Sequence, residues 1–462
     1  MELTLGEIAV ATHGSVRGDS ECVVSGFSND SRAVQVGECF VAIIGERDGH
    51  KFIRDAITRG AAAAVVSHDD QGALACDNAV VVQDTLVALL DLARWVRMDR
   101  LRAARVVGIT GSTGKTSTKD FLASALSQAL SSHANIDSFN NEIGLPMTLL
   151  SAPADVEVVV CEMGARFAGN IAKLCEIAKP NIGVITNIGS AHGEHLGGSE
   201  GIARVKGELL DALGVEGLAI LCYDDPSTAR LRRRTTAHVL TAGTTTNADI
   251  QVKLLALGSD LKARIALSTD WGNFETELGI RGAHQITNAA LAATVALFLG
   301  AEPSAVAEGL AAARGSSWRM DLARTVKGIT VLNDSYNANP HSMRAALQGL
   351  AGVGGARRRV AVLGAMREIG ASSVDDHAVI GAMAADCGVA KIIAVGSGPD
   401  MDALASAAMA RDVEVVRVVD AQAALGSLDG LDDHDVVLVK ASRVIGLEVV
   451  AQALIDLNGG TR

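Results

Sequence analysis

A short segment with two glycines, residues 111–117, constrains the fold of this chain more than any other feature of its sequence. It follows an apolar run at residues 105–110 and precedes a helical pattern over residues 116–130. Glycines let the backbone curl so that several N–H groups point inward, and a helix N-terminus adds partial positive charge. This strand–loop–helix unit predicts a site for phosphate oxygens, formed by Gly111, Ser112, Thr113, Gly114, Lys115, Thr116 and Ser117.

Two side chains of this segment have the chemistry that a nucleoside triphosphate requires. Lys115 would reach the terminal phosphates of ATP, and the Thr116 hydroxyl would coordinate Mg²⁺. The usual spacing G-x-x-x-x-G-K-[ST] is not met, because residue 109 is Ile. The alternative interpretation is a fortuitous glycine-rich turn, but the strand before it and the helix after it favour a phosphate loop.

Strand-like and helix-like patterns alternate along most of the chain, and this alternation predicts an α/β fold. At roughly 100–200 residues per domain, 462 residues suggest about three domains. We place them at residues 1–103, 104–313 and 314–462. The middle domain is predicted to hold a P-loop ATPase-like, mostly parallel sheet, and the last a smaller Rossmann-like sheet. The predicted strands of the middle sheet are residues 105–110, 156–161, 182–188 and 218–222, with antiparallel strands at one edge within residues 250–280.

Charge and cysteine usage exclude several classes of protein. The formal net charge is −12, from 41 basic and 53 acidic residues, so we expect no nucleic-acid partner. Seven scattered cysteines without a Cys-x-x-Cys pair argue against a disulfide framework and a zinc site, and fit a reducing cytoplasm. The chain starts without the pattern of a signal peptide, and no uncharged apolar run reaches about 20 residues, so we expect no membrane insertion.

Three side chains follow the predicted strands of the middle domain. Glu162 comes directly after residues 156–161, and His192 follows the strand at 182–188 and its turn. Since parallel strands end at one edge of a sheet, both are candidate Mg²⁺ ligands near the phosphates. The alternatives are a solvated loop acid and a structural histidine. Lys206, on the next helical stretch, reads as an exposed lysine, although a buried neutral lysine can react with CO₂ to form a carbamate.

Further strings complete a pattern that covers essentially the whole chain. They are Asp30-Ser31-Arg32 in the first domain, residues 140–146 (NNEIGLP) and 282–288 (GAHQITN) in the middle domain, and residues 333–340 (NDSYNANP) in the last. Together with the phosphate loop, these strings resemble the motifs of the Mur ligases. Within that family the resemblance is greatest to the type that joins D-alanyl-D-alanine to UDP-N-acetylmuramoyl-tripeptide.

The resemblance implies an ATP-dependent ligase of peptidoglycan precursor synthesis, cytoplasmic and monomeric. The first domain would bind the UDP part of the substrate. ATP would phosphorylate the tripeptide carboxylate to an acyl phosphate, which the amine of D-alanyl-D-alanine would then attack. ATP and Mg²⁺ would be the cofactors, with Lys206 carrying a carbamate.

The same resemblance implies roles for individual residues. Substrate would be contacted by Ser31 and Arg32 at the UDP, by Asn140 and Asn141 near the metal, and by Tyr336, Asn337 and Asn339 around the dipeptide. ATP would be contacted by Asn288 at the adenine, Asp334 at the ribose and Arg319 at the terminal phosphate. The Mg²⁺ ligands would be Thr116, Glu162, His192 and carbamylated Lys206, and the catalytic set would be Lys115, His192, Lys206 and Arg319.

Other interpretations of the same residues stay open at this point. An Asn near a helix start is often a cap, and residues 333–340 also read as a polar loop before a helix at Pro340. Ala365 and Ala441 stand where the family usually has Asp and Gly. The rival functions are a sister ligase that adds one amino acid, or glutamate to a folate, and a nucleotide-dependent switch without ligation. Residues 30–52 and 333–340 favour the dipeptide-adding type.

Overall fold

The computed structural model describes residues 1–67, 76–135, 139–189, 198–353 and 355–456. Their strands form three large sheets in succession along the chain, and a separate two-stranded sheet near the start. Helices alternate with strands in all three parts, which confirms the predicted α/β fold. Each large sheet lies within one of the three predicted domains, whose boundaries at 103 and 313 stay a proposal.

The first part contains a five-stranded sheet of order β2-β7-β6-β5-β4, parallel except for the β2–β7 pair. Its strands, with β1 and β3 of the two-stranded sheet, are β1 Leu3–Thr4, β2 Ser15–Arg17, β3 Val23–Val24, β4 Phe27–Ser28, β5 Cys39–Val41, β6 Ala63–Val66 and β7 Ala79–Val81. Its helices are α1 Leu5–Thr12, α2 Ile53–Thr58 and α3 Thr85–Asp99.

The middle part contains a nine-stranded sheet of order β16-β15-β14-β13-β12-β11-β8-β10-β9. Its strands are β8 Arg105–Thr110, β9 Ser132–Ala134, β10 Val158–Glu162, β11 Ile182–Ile185, β12 Leu218–Cys222, β13 His238–Gly243, β14 Ile250–Leu257, β15 Ala263–Ser268 and β16 Phe274–Glu277. Its helices are α4 Lys115–Leu126, α5 Gly144–Ser151, α6 Asn170–Ala178, α7 Gly198–Lys206, α8 Glu208–Asp211, α9 Thr228–Leu231, α10 Gln285–Phe298 and α11 Pro303–Ala312. The strands from β9 to β14 are parallel, and β14, β15 and β16 are antiparallel as predicted for this edge.

Strand β8 lies inside this sheet, between β11 on one side and β10 on the other. It is a run of β-branched and small residues buried on both faces, as is usual for a parallel strand covered by helices. The chain leaves β8 toward one side of the sheet for β10 and later returns on the other side for β11. The carboxyl ends of these three strands therefore border a crevice at a topological switch point, where ligands of α/β proteins bind.

The third part contains a six-stranded sheet of order β17-β18-β22-β19-β20-β21, parallel except for its β17 edge. Its strands are β17 Asp321–Arg324, β18 Thr330–Asn333, β19 Arg358–Gly364, β20 Val389–Val395, β21 Glu414–Val418 and β22 Asp435–Lys440. Its helices are α12 Pro340–Gly352, α13 Ser373–Asp386, α14 Pro399–Met409, α15 Ala421–Gly426 and α16 Glu448–Asp456.

The first and middle parts share one hydrophobic core, in which α3 packs on α5 and α6. Arg97 of α3 is buried there, and its guanidinium donates to the backbone oxygens of Ala178 and Leu101 at 2.9 and 2.6 Å. A buried guanidinium must be satisfied, and here it satisfies a carbonyl at the end of α6 as well. These contacts fix the first sheet relative to the middle one. None of the helices in the described ranges combines the length and hydropathy needed to cross a membrane.

Candidate active site

The loop between β8 and α4 has a backbone that only glycine accommodates at two positions. Gly111 and Gly114 have φ angles of 149° and 80°, which side chains rarely tolerate. A Cβ atom on Gly111 would collide with Thr186 Oγ1, and one on Gly114 would collide with Asn288 Oδ1. The loop is therefore tightly packed on both sides, and the first helical residue after it is Lys115.

Two residues after β11 hold this loop in place. The Thr186 hydroxyl donates to the backbone oxygen of Thr113 at 2.5 Å. The Asn187 side-chain oxygen accepts from the Thr113 N–H at 2.9 Å, and its backbone oxygen accepts from the Ser112 N–H at 3.0 Å. Because these bonds tie the loop to a buried strand, its shape is set before any ligand arrives. Thr186 and Asn187 were not predicted as site residues, because the predicted strand 182–188 includes both, whereas β11 ends at Ile185.

Lys115 lies where the loop passes into α4, and its ammonium group reaches back to donate to the Gly111 backbone oxygen at 2.8 Å. Burial lowers the pKa of Lys115; the charge of Glu162 opposes this effect and that of Arg319 adds to it. An ammonium held against one weak acceptor, in a partly desolvated position, is suited to exchange that acceptor for an anionic oxygen.

Glu162 is the last residue of β10 and is only 1% exposed, so its interpretation as a solvated loop acid is wrong. One carboxylate oxygen, Oε1, accepts from Asn140 Nδ2 at 2.6 Å. The other, Oε2, is buried and has no hydrogen-bond partner among the described residues. A buried anionic oxygen without a partner is costly unless a cation meets it. A carboxylate in this state, beside a phosphate loop, fits the oxygen chemistry of Mg²⁺.

Lys206 ends α7 and is 1% exposed, so its interpretation as an exposed helix lysine is also wrong. Burial lowers the pKa of Lys206 to about 7, with a further lowering from the charge of Lys115 and opposition from Glu162 and Glu208. These influences place its amine within charge-coupling range of both Lys115 and Glu162. Near neutral pH a large fraction of this amine is unprotonated and nucleophilic.

The helix that carries Lys206 ends at that residue, and Gly207 separates it from the short helix α8. The Arg234 guanidinium donates to the backbone oxygen of Ala203 at 3.3 Å and occupies the space that a Cβ on Gly207 would need. Glu208 follows the break, and its carboxylate accepts from the N–H groups of Gly169 and Ala172, which are at the start of α6. Arg234 and Glu208 therefore hold the carboxyl end of α7 on two sides.

Arg319 of the third part reaches across to the phosphate loop. Its guanidinium donates to Thr116 Oγ1 at 3.1 Å, and its Cζ atom lies 4.0 Å from the centre of the Tyr336 ring. Two side chains that the sequence analysis named are thus in contact although 203 residues separate Thr116 from Arg319. Asn288, in α10, lies against the other side of the loop and donates to Gln285 Oε1 at 2.8 Å.

The remaining candidate residues of the middle and third parts have local partners in the described structure. Asn141 Oδ1 accepts at 2.9 Å from the N–H of Gly144, the first residue of α5. Asn339 Oδ1 caps α12 by accepting from the Ser342 N–H at 2.9 Å. Asn337 is exposed, and Asp334 forms an ion pair of 2.5 Å with Lys440. The Asn339 cap agrees with the alternative interpretation of residues 333–340 as a polar loop before a helix, and the substrate contacts of these Asn residues stay predictions.

Comparison with known proteins gives the family. The model of the Mur ligase middle domain matches residues 109–296, and the model of the Mur ligase glutamate ligase domain matches residues 318–443. The chain is 37% identical to a UDP-N-acetylmuramoyl-tripeptide–D-alanyl-D-alanine ligase of Mycobacterium bovis, over 100% of each chain. This chain belongs to the Mur ligase family. The resemblance inferred from its motifs is thereby confirmed.

Solved structures of the Mur ligase family share the fold. A crystal structure of MurF from Acinetobacter baumannii superposes with a TM-score of 0.85 at 29% identity, over 99% of each chain. MurF ligase from Thermotoga maritima, crystallised in complex with ADP, superposes with a TM-score of 0.78 at 28% identity, over 93% of this chain and 97% of that one. These matches confirm the three-domain architecture of this Mur ligase.

The predicted UDP contacts of this Mur ligase lie in the segment that follows β4. Ser31 is buried there, whereas the Arg32 side chain is exposed and pairs with Asp30 at 2.7 Å. Hydrogen bonds from Arg32 hold the pKa of Asp30 at about 2. A guanidinium that stands in solvent next to a single carboxylate keeps donors available for a pyrophosphate. His192, the remaining candidate Mg²⁺ ligand, lies outside the described residues.

Proposed function

We propose that this Mur ligase joins the tripeptide carboxylate of UDP-N-acetylmuramoyl-tripeptide to the amine of D-alanyl-D-alanine with consumption of ATP. The single observation that carries this proposal is the meeting of Lys115, Thr116 and Arg319 at the phosphate loop, beside the unpartnered oxygen of Glu162. The name of the full-length Mycobacterium bovis relative supports the substrates, and the ADP complex of the Thermotoga maritima enzyme supports the nucleotide.

The proposed chemistry begins with activation of the carboxylate, because amide formation from an acid and an amine is uphill in water. A carboxylate oxygen attacks the γ-phosphorus of ATP, the bond to the β-phosphate oxygen breaks, and ADP leaves. The amine of D-alanyl-D-alanine then attacks the carbonyl carbon of the acyl phosphate. The tetrahedral intermediate expels inorganic phosphate, the nitrogen loses a proton, and the amide remains.

Positive groups around the transferring phosphoryl group are the main requirement of the first step. In this proposal the N–H groups at the start of α4 and the Lys115 ammonium bind the β- and γ-phosphates. The Arg319 guanidinium, already aimed at Thr116, neutralises the charge that develops on the γ-phosphoryl oxygens. Asn288 lies on the far side of the loop, where the adenine would sit, and Asp334 near the ribose is a further proposal.

Mg²⁺ would be held by Thr116, Glu162, His192 and the carbamate of Lys206. The best support for a cation here is the buried Oε2 oxygen of Glu162, which has no hydrogen-bond partner among the described residues. Bound there, Mg²⁺ would supply positive charge that lets an anionic carboxylate approach an anionic triphosphate. Asn140 orients the Glu162 carboxylate through its 2.6 Å hydrogen bond. The acceptor peptide would approach from the side of Asn140, with Ser31 and Arg32 at its UDP end. D-alanyl-D-alanine would lie near Tyr336, Asn337 and Asn339.

We propose in addition that Lys206 carries the carbamate. Its unprotonated amine would attack CO₂ and release one proton, which converts a buried neutral amine into an anion beside Lys115 and Glu162. The lowered pKa of about 7 supports this step, since an ordinary lysine is almost fully protonated at neutral pH.

We expect Lys206→Ala to lower the ligation rate at least about 100-fold. A short carboxylic acid such as acetate should restore part of this rate without added bicarbonate. In the unmodified protein, carbamate formation should rise with pH through about 7, because only the unprotonated amine reacts. ¹³C NMR with ¹³C-bicarbonate measures the adduct directly between pH 6 and pH 9. Absence of a carbamate signal at any pH, with no chemical rescue, would contradict this role.

The proposed function is tested by incubating the protein with ATP, Mg²⁺, UDP-N-acetylmuramoyl-tripeptide and D-alanyl-D-alanine. We expect phosphate release that requires both co-substrates, and a product whose mass equals the sum of both minus one water. A panel of single amino acids and glutamate in place of the dipeptide distinguishes the sister ligases. Slow hydrolysis that neither co-substrate changes would instead identify a nucleotide-dependent switch, and would overturn the proposal.

A further inference from the structure

Lys440 is a buried charged residue to which neither the sequence motifs nor the proposed mechanism gives a role. It ends β22, which lies between β18 and β19 in the third sheet, and it is 1% exposed. Its ammonium group donates to Asp334 Oδ2 at 2.5 Å, to the Asp334 backbone oxygen at 3.2 Å and to the Asn337 backbone oxygen at 2.8 Å. A lysine ammonium has three hydrogens, so all of its donors are used.

A buried ion pair such as Lys440–Asp334 contributes little net stability to a fold. Removing two charges from water is costly, and replacing a buried ion pair by apolar residues is often neutral or stabilising. Burial lowers the pKa of Lys440, and the Asp334 charge opposes that effect. What the pair does provide is a defined geometry, since three short bonds fix the loop at residues 334–337 against the end of the strand.

The second oxygen of Asp334 extends this geometry into the segment that carries Arg319. Asp334 Oδ1 accepts from the Met320 N–H at 3.1 Å. Trp318 and Met320 have φ angles of 64° and 55°, so the residues on both sides of Arg319 adopt the left-handed conformation that side chains disfavour. Such a backbone persists only where its surroundings enforce it.

The loop at residues 334–337, which Lys440 fixes, restrains the segment around Arg319 through two further contacts. The Tyr336 N–H donates to the Trp318 backbone oxygen at 3.1 Å. The Tyr336 ring lies under the guanidinium of Arg319, 4.0 Å from its Cζ atom. Arg319 therefore lies among residues whose positions Lys440 fixes. From this position its guanidinium reaches Thr116 of the phosphate loop.

We infer that Lys440 is a positioning residue that aims Arg319 at the transferring phosphoryl group. It acts through the Asp334–Met320 hydrogen bond and the Tyr336 contact, without touching ATP or the peptide itself. The inference rests on the proposed function, because it assumes that Arg319 serves phosphoryl transfer. It adds a residue of β22 to that step and explains why the turn at residues 318–320 is held in a disfavoured conformation.

A double-mutant cycle tests this inference with the ligation assay described above. The variants are Lys440→Met, Arg319→Ala and the double variant, with Lys391→Met as a control because that lysine lies on β20 of the same sheet, in an ion pair with the exposed Glu414. We expect Lys440→Met to lower kcat by about 10- to 100-fold, with KM for the UDP-peptide within about twofold of the unmodified protein. In the Arg319→Ala background the same substitution should have almost no further effect on kcat, because the group that it positions is gone.

The outcomes separate this inference from the function on which it depends. If the unmodified protein forms no amide, the proposed function fails, and the inference fails with it because Arg319 then has no phosphoryl transfer to serve. If it does form the amide, but the two substitutions multiply in their effects on kcat, Lys440 acts independently of Arg319 and the inference is wrong. If Lys440→Met does not fold by circular dichroism, Lys440→Gln takes its place in the cycle, since its amide still donates to one of the acceptors. A normal kcat in a folded variant would overturn the inference equally.

Discussion

Lys115→Ala is expected to reduce ATP-dependent ligation by about 1,000-fold while leaving the fold intact. In the structure the Lys115 ammonium, at the start of α4, donates a hydrogen bond to the Gly111 backbone oxygen. Since the alanine side chain leaves no donor for the β- and γ-phosphates, the transition state loses a charge that nothing else at the loop replaces. Initial rates of phosphate release at saturating ATP measure the loss.

Lys253→Ala is the matched control for this substitution. Lys253 is an exposed lysine of β14, which β13, β12 and β11 separate from β8 in the sheet. Its rate should equal that of the unmodified protein. Near-normal phosphate release by Lys115→Ala, in the presence of both co-substrates, would refute the role of this lysine.

Glu162→Gln is expected to lower the ligation rate by at least about 100-fold and to raise the Mg²⁺ concentration required for half-maximal activity. Glutamine keeps the size of the side chain and its acceptor for Asn140, but it removes the charge of the buried oxygen that has no partner. Activity measured against a Mg²⁺ titration separates weakened metal binding from a slower chemical step.

Folding stability provides an independent readout for Glu162. Without Mg²⁺ and nucleotide, the neutral side chain removes a buried charge whose Oε2 oxygen accepts no hydrogen bond from the described residues, so urea unfolding should show equal or greater stability for Glu162→Gln. Glu176→Gln, on the exposed face of α6, is the matched control and should change neither activity nor stability. A Glu162→Gln protein with normal activity and an unchanged Mg²⁺ requirement would contradict the assignment of this carboxylate.

The strands of this protein were predictable where burial makes them continuous apolar runs. Strands β8 and β12 coincide with the predicted residues 105–110 and 218–222 because turn residues bound a buried run on both sides. The prediction missed β9 and β17, which are short edge strands with few β-branched residues, so that pairing with a neighbour and not their own pattern defines them. It also missed the interior strand β13, which is buried only over its second half and has no continuous apolar run.

The residues of the candidate site also divide into those that the sequence pattern predicts and those that it does not. The phosphate loop and Glu162 follow from strand order, because a motif at the end of a buried parallel strand must face the crevice. Burial of Lys206 and Lys440 depends instead on which elements pack around each strand or helix end, and a lone lysine carries no sign of that in its own sequence. The contact of Arg319 with Thr116 joins distant segments, so the family resemblance indicated Arg319 where spacing gave no information.

The most direct test of the account follows an oxygen atom from the tripeptide to inorganic phosphate. UDP-N-acetylmuramoyl-tripeptide labelled with ¹⁸O in its terminal carboxylate is incubated with the protein, ATP, Mg²⁺ and D-alanyl-D-alanine, and the released phosphate is analysed by mass spectrometry. Transfer through an acyl phosphate at the Lys115 and Arg319 site predicts one ¹⁸O atom in each phosphate released, in step with amide formation. Phosphate that contains only oxygen from ATP and water would show that ATP does not activate the carboxylate, and would contradict the account.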